Sequence, residues 1–289
     1  MKSDKHSGIK MHRQKLRIPV VSADGDAAST RHLLALLATH DDLHQQQQQQ
    51  QSMGRFSDVL VYLHGFPDLS VHPTQLDFAS RLPFKLAEAW LADASRRVAL
   101  LTFNFGGVLG SDATLRFADK LLSLEVEDAV AACRFARDSL LDAQGGRVHV
   151  VGLSTGAIIA SLLRDRGVAD TISVIAGLAD LPKGIHYDFT DGQIAQMQRL
   201  GYCWKEFYLP DESPPLSTLA TPVSLNGERA ATPQELETAD QRKIFLRLNR
   251  AYFDECKQRA SLDIRRAVSR TGGGDDHGDG GGRRGRHCS

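Results

Sequence analysis

Residues 148–160 read Val-His-Val-Val-Gly-Leu-Ser-Thr-Gly-Ala-Ile-Ile-Ala, and this stretch decides the fold. An apolar run typical of a buried strand leads into Gly-x-Ser-x-Gly and then into small residues that begin a helix. A strand–turn–helix of this kind presents a nucleophilic serine, here Ser154, at the end of the strand. Gly152 and Gly156 remove side chains that would collide at so tight a turn. Ser154 is therefore predicted to be a nucleophile; the alternative is that it only caps the helix.

A second motif lies upstream, where residues 58–67 form an apolar strand that ends in His64-Gly65-Phe66-Pro67. The glycine lets the backbone turn outward and present the N–H of Phe66 to a substrate oxygen. The N–H of Thr155, which follows the predicted nucleophile, is the expected second donor of an oxyanion hole. His64 is interpreted as a structural hydrogen-bonding residue rather than as a catalytic base.

The two motifs and the strands around them resemble the α/β-hydrolase superfamily, over residues from about 55 to about 268. The stretches 174–177 and 182–190 look like microbial members of uncharacterised hydrolase groups. The resemblance implies a doubly wound, mostly parallel sheet with a helical lid insertion. It also implies a serine-dependent hydrolase of ester, thioester or related acyl bonds that forms an acyl-enzyme on Ser154.

The pattern along the chain agrees with an α/β architecture. Short apolar runs at 97–103, 147–153 and 172–176 predict strands, and 125–143 and 154–166 predict helices between them, which favours a parallel sheet covered on both faces. Upstream, we expect a first short strand at 16–21, a helix at 30–40, and a helix at 74–94 that Pro83 breaks or kinks.

Four segments follow from these patterns. Residues 1–54 are a polar N-terminal segment that contains the possible first strand and a glutamine tract at 45–51. Residues 55–181 are the α/β-hydrolase core, 182–268 the lid or insertion, and 269–289 a glycine-rich tail expected to be disordered.

The insertion is predicted to contain helices at 191–200 and 234–259, with an aromatic stretch at 203–208 between them. Trp204 and Phe207 would suit the walls of a substrate pocket. Packing within the insertion is the alternative for both side chains.

The remaining catalytic groups are harder to find in the sequence. The superfamily order is serine, then acid, then histidine, but no core strand follows 172–176 and the chain ends in a run of glycine and charge. Asp180 is the candidate acid and His186 the candidate base, although each also fits an ordinary loop residue. The absence of an evident acid–histidine pair keeps two alternatives open: a non-catalytic α/β-hydrolase-fold binding protein, or a truncated gene product that lacks the C-terminal core strands.

Composition narrows the class of partner. Lysine plus arginine (35) balances aspartate plus glutamate (35), so no net charge favours nucleic acid. No apolar run reaches the ~18 residues of a membrane span, and no signal-peptide pattern occurs. The four cysteines lack metal or disulfide spacing, which predicts free thiols in a reducing, cytoplasmic compartment. We expect a small-molecule acyl substrate, no metal and no cofactor, and the sequence indicates no oligomeric state.

Overall fold

The fold is taken from a computed structural model of the chain. The structure describes residues 9–21, 30–43, 55–66, 68–112, 115–143, 145–178, 180–208, 243–259 and 262–269. The glutamine tract, the segment 209–242 and residues 270–289 lie outside these ranges, and so do the predictions made for them.

The core is a six-stranded mixed sheet in the order β1-β2-β4-β3-β5-β6. Its strands are β1 (Met11–Val20), β2 (Arg31–His40), β3 (Asp58–Leu63), β4 (Val98–Phe103), β5 (Arg147–Leu153) and β6 (Thr171–Ile175). β2 runs antiparallel to both of its neighbours, whereas β3, β4, β5 and β6 are parallel to one another. The predicted doubly wound, mostly parallel sheet is confirmed.

Helices cover both faces of this sheet. Helices α2 (Leu122–Phe135) and α3 (Thr155–Leu163) pack on one face, where Leu33, Val61 and Leu101 join their apolar side chains. Helix α1 (Arg81–Trp90) packs on the other face, against Leu34 and Leu100 among others. Because successive strand residues point to opposite faces, strands buried on both sides are apolar at nearly every position.

The same physics explains why the helix predicted at 30–40 is wrong. That segment is β2, and its run of leucine and alanine is continuous because both of its faces are buried. Periodicity cannot distinguish a short continuous apolar run in a strand from one in a buried helix.

The helix predicted at 74–94 is wrong at its start. Residues 74–80 are irregular, and α1 begins only at Arg81. Pro83 falls in the first turn, where backbone N–H groups have no partner within the helix, so the proline is accommodated without a kink.

After β6 the chain forms an insertion that contains helices and a small second sheet. Its elements are α4 (Leu181–Asp188), α5 (Asp191–Leu200), β7 (Tyr202–Tyr208), β8 (Lys243–Asn249), α6 (Ala251–Gln258) and α7 (Ile264–Ser269). The helix predicted at 191–200 is confirmed and begins with a capping box between Thr190 and Gln193.

The helix predicted at 234–259 is wrong over 243–249. This segment is β8, which pairs antiparallel with β7. Leu246 and Leu248 are buried while Arg247 and Asn249 are half-buried, which is the two-residue alternation of a strand. Only α6 is helical there, and 234–242 lies outside the described residues.

Strand β6 is the outer edge of the sheet. Val174 is 53% exposed and Ile175 is 41% exposed, although both side chains are apolar. Within the described ranges no further strand pairs with β6.

Candidate active site

Ser154 lies at the turn between β5 and α3 with a backbone conformation that is rare for a residue with a side chain. Its φ is 53° and its ψ is −116°, and non-glycine residues with positive φ are uncommon and strained. The backbone carbonyl of Ser154 accepts the N–H groups of Ala157 (3.0 Å) and Ile158 (3.2 Å), which begins the helix. The turn therefore holds Ser154 at the carboxyl end of β5, as the sequence predicts.

The glycines on either side of Ser154 are required by close backbone approaches. A Cβ on Gly152 would collide with the carbonyl of Gly156 and would lie 2.7 Å from the nitrogen of Ala157. A Cβ on Gly156 would collide with the carbonyl of Leu63 and would lie 2.6 Å from that of His64. The turn after β5 thus packs backbone against backbone on the end of β3.

This packing brings the loop after β3 beside Ser154. A Cβ built on Gly65 would lie 3.1 Å from Ser154 Cβ and 3.7 Å from Ser154 Oγ. The two sequence motifs therefore meet in space, although about 90 residues separate them in the chain.

His64 fixes the peptide that carries the predicted Phe66 donor. Its Nδ1 lies 2.8 Å from the carbonyl oxygen of Gly65, and the N–H of Asp68 donates to the same oxygen at 3.2 Å. Because the peptide bond is planar and trans, holding the Gly65 carbonyl also sets the direction of the Phe66 N–H. His64 is thus a positioning residue for that N–H.

The protonation of His64 follows from its surroundings. Burial, and to a smaller extent the positive charge of Lys120, lowers the pKa of His64 to about 3, although the hydrogen bond to the Gly65 carbonyl opposes this shift. The ring is therefore neutral at physiological pH, and because a carbonyl oxygen only accepts, Nδ1 carries the proton. Nε2 is then an acceptor; it is buried, and none of the residues that the structure describes hydrogen-bonds to it.

A small cavity lies against this loop. Its volume is about 10 Å³, which is enough for one water molecule or one oxygen atom. The lining residues include His64, Phe66, Phe105, Lys120, Glu125 and Thr155. Both residues predicted to supply oxyanion N–H groups, Phe66 and Thr155, therefore line one oxygen-sized space. Gly65 also lines it, whereas Ser154 itself is not among the lining residues.

A buried ion pair forms part of the cavity wall. Lys120 Nζ lies 2.7 Å from Glu125 Oε1, and the two side chains are 2% and 3% exposed. The hydroxyl of Tyr252, in α6, donates to Glu125 Oε2 at 2.6 Å. The sequence analysis missed all three residues, because a lysine and a glutamate at the start of a helix are ordinarily solvated.

The insertion also packs on Phe66 itself. The Phe66 ring stacks on Phe117 at 5.8 Å, on Phe189 at 6.1 Å and on Tyr252 at 6.4 Å between ring centroids. Phe189 follows α4 and Tyr252 lies in α6, so two parts of the insertion hold the loop after β3 in place.

The other predicted site residues lie elsewhere. His186 is exposed on α4, and the carboxylate of Asp180 lies 3.5 Å from Arg265 Nη2 of α7. Within the described part of the chain, no side chain hydrogen-bonds to Ser154 Oγ. Trp204 is half-buried in β7 beside Tyr202 and is not among the described residues that line the cavity. Phe207 pairs through its backbone with β8.

No protein-family model matches the chain, and no curated protein matches it. Solved structures do resemble it. The α/β hydrolase GrgF from Penicillium sp. sh18 is 12% identical over 90% of this chain and 78% of its own, with a TM-score of 0.49.

Two further similar structures are a hypothetical protein from Pseudomonas aeruginosa and an esterase from Pyrococcus furiosus. The first is 14% identical over 66% of this chain and 51% of its own, with a TM-score of 0.44. The second is 14% identical over 64% and 59%, with a TM-score of 0.42. The chain spans only 23% to 26% of the peptidase structures that it resembles.

The helices were also considered as possible membrane spans. None of the helices in the described ranges has the length and apolar character needed to cross a membrane.

Proposed function

We propose that this chain is a serine-dependent hydrolase of ester, thioester or related acyl bonds in small molecules, with Ser154 as the nucleophile. The observation that carries the proposal is the strained backbone of Ser154, whose neighbour in the chain, Thr155, lines an oxygen-sized cavity. Strain of this kind persists where the surrounding structure enforces it, and it clusters at active sites. A serine that served only as a helix cap would not need this strained conformation, because capping residues ordinarily have extended backbone dihedrals.

In this mechanism Ser154 Oγ attacks the acyl carbon and the carbonyl oxygen becomes an oxyanion. The N–H groups of Phe66 and Thr155 donate to that oxygen, and His64 keeps the Phe66 peptide from turning over. Collapse of the adduct expels the alcohol or thiol, which takes up the proton that Ser154 Oγ loses on attack, and leaves an acyl-enzyme on Ser154. Water then hydrolyses the acyl-enzyme to the free acid and restores the Ser154 hydroxyl. The free, buried thiols of Cys133 and Cys203 fit our further proposal of a cytoplasmic location.

A second candidate is a non-catalytic binding protein with the same fold. One observation favours it: a serine needs a base, yet His186 is exposed and Asp180 faces Arg265 instead of a histidine. In this alternative the cavity binds a carbonyl or hydroxyl oxygen without turnover.

An ester-hydrolysis assay separates the two candidates. p-Nitrophenyl esters from acetate to decanoate, and the matching thioesters, are offered to the wild type and to Ser154→Ala. Ser161→Ala is the matched control, because Ser161 lies on α3 and its hydroxyl donates to the Ala157 carbonyl within the helix. Hydrolysis that Ser154→Ala lowers by about 10³-fold or more in kcat/KM supports the enzyme. Hydrolysis that survives in Ser154→Ala, or is absent from well-folded wild type, contradicts it.

A further inference from the structure

We propose that Lys120 is a third stabilising group of the oxyanion cavity, where its buried ammonium supplies positive charge to the oxygen of the tetrahedral adduct on Ser154. The group that the cavity favours is then the anionic oxygen of a tetrahedral adduct rather than the oxygen of a neutral carbonyl. The inference rests on the proposed function and adds a residue that no sequence motif marks.

The first support is the position of the ammonium. Nζ lies 5.7 Å from the ring centroid of Phe105 and 5.2 Å from that of Phe117, and 2.7 Å from Glu125 Oε1. Phe105 and Glu125 line the cavity together with Lys120 itself. These three contacts hold the charge in the wall of the same oxygen-sized space that Phe66 and Thr155 line.

The second support is the donor count. An ammonium has three N–H donors, and among the described residues Glu125 is the one acceptor recorded for Lys120. Glu125 is itself held from its other oxygen by Tyr252. An oxygen in the cavity would give the ammonium a further acceptor, and an anionic oxygen would bind more strongly than a neutral one.

The third support is that the positive charge of Lys120 acts on another group of the cavity wall. His64 lines the cavity, and the charge of Lys120 contributes to the low pKa of its ring. Charges act more strongly in such a buried environment than in water. Charge that develops only in the transition state therefore gains more from Lys120 than the neutral substrate does.

The test compares rates of phosphonylation of Ser154 by a fluorophosphonate, whose phosphonyl oxygen gains negative charge during attack. The main variant is Lys120→Met/Glu125→Gln, which removes both charges and leaves neither one buried without a partner. The matched control is Arg147→Met/Asp58→Asn, which removes an ion pair (2.9 Å) at the amino ends of β3 and β5, the end of the sheet opposite the cavity. Rates are expressed per folded molecule, with the folded fraction taken from thermal melts.

We expect the Lys120 double variant to react about tenfold more slowly or worse, since one oxyanion donor is worth about 10²- to 10³-fold in kcat. The control pair should react at the wild-type rate although it is less stable. A Lys120 double variant within twofold of the control overturns the inference while the proposed function stands. A folded wild type that does not react at all overturns the proposed function, and this inference with it.

Glu125→Gln alone is an independent second arm of the test, measured per folded molecule because it leaves the ammonium buried without a carboxylate. It removes the neutralising carboxylate and retains the ammonium and an amide that Tyr252 can still reach. The inference expects a rate equal to or above that of the wild type, because the positive charge is no longer compensated. A tenfold fall would show that the pair acts through packing and not through the sign of the charge.

Discussion

Replacing Ser154 with glycine should stabilise the protein. Ser154 has a φ of 53° and a ψ of −116°, and a non-glycine residue in such a sparsely populated region costs about 1 to 3 kcal/mol. Glycine relieves that strain but loses about 0.5 to 1 kcal/mol through its larger freedom in the unfolded chain. No hydrogen bond from a described side chain to the hydroxyl is lost, so the net gain is about 1 kcal/mol.

Thermal unfolding measures this gain. At about 1 kcal/mol we expect Tm to rise by about 2 to 4 °C. Ser154→Ala is the matched control, since it removes the hydroxyl but keeps the Cβ and hence the strain. Ala176→Gly should also stabilise without touching the hydroxyl, because Ala176, among the described residues, is a second residue with a side chain at positive φ (52°).

The comparison between the two Ser154 variants decides the outcome. A higher Tm for Ser154→Gly than for Ser154→Ala means that the wild type keeps a serine where glycine would be more stable. Functional sites accept such losses of stability. A Tm for Ser154→Gly at or below that of Ser154→Ala would refute the claim that the turn is strained. The main argument for function at Ser154 would then fall.

The remaining predictions concern pH and the edge of the sheet. The pKa of His64 in the folded protein (about 3) lies below the ordinary histidine pKa of about 6.5, so the unfolded state takes up a proton first as pH falls. The free energy of unfolding therefore falls below about pH 6.5. Denaturant titrations at pH 7.5 and pH 5 should show a fall in this free energy that is about 2 kcal/mol larger for the wild type than for His64→Asn. Equal falls in the two proteins would contradict a buried, neutral His64 ring. Strand β6 has exposed apolar side chains at Val174 and Ile175, and residues 171–178 carry no charge. We therefore expect the chain to self-associate through this edge. Size-exclusion chromatography with light scattering should show that Val174→Lys reduces the self-association. A wild type that is monodisperse and monomeric would show that the edge is covered.

The sequence predicts the centre of the sheet well because local pattern and environment agree there. β4 and β5 are short apolar runs ended by turn residues, and the glycines around Ser154 have a local steric reason that a motif can express. The predicted strand at 16–21 is also present, within the longer β1. In these places the residues themselves carry the information.

Other parts depend on contacts that no local window contains. β2 is apolar throughout because two helical layers bury it, and this made it resemble a helix. Glu125, the ion-pair partner of Lys120, accepts a hydrogen bond from Tyr252, which lies 127 residues away along the chain. The predicted acid and base, Asp180 and His186, were chosen by their order in the chain, whereas their placement depends on how the insertion folds.

The most direct test of the central claim is covalent labelling of the folded wild type with a fluorophosphonate, read out by intact mass and peptide mapping. If Ser154 is an activated nucleophile, one adduct forms per chain, it maps to the peptide that carries Ser154, and it is absent both from Ser154→Ala and from heat-denatured wild type. Folded protein that stays unlabelled, or an adduct that persists in Ser154→Ala, would contradict the account.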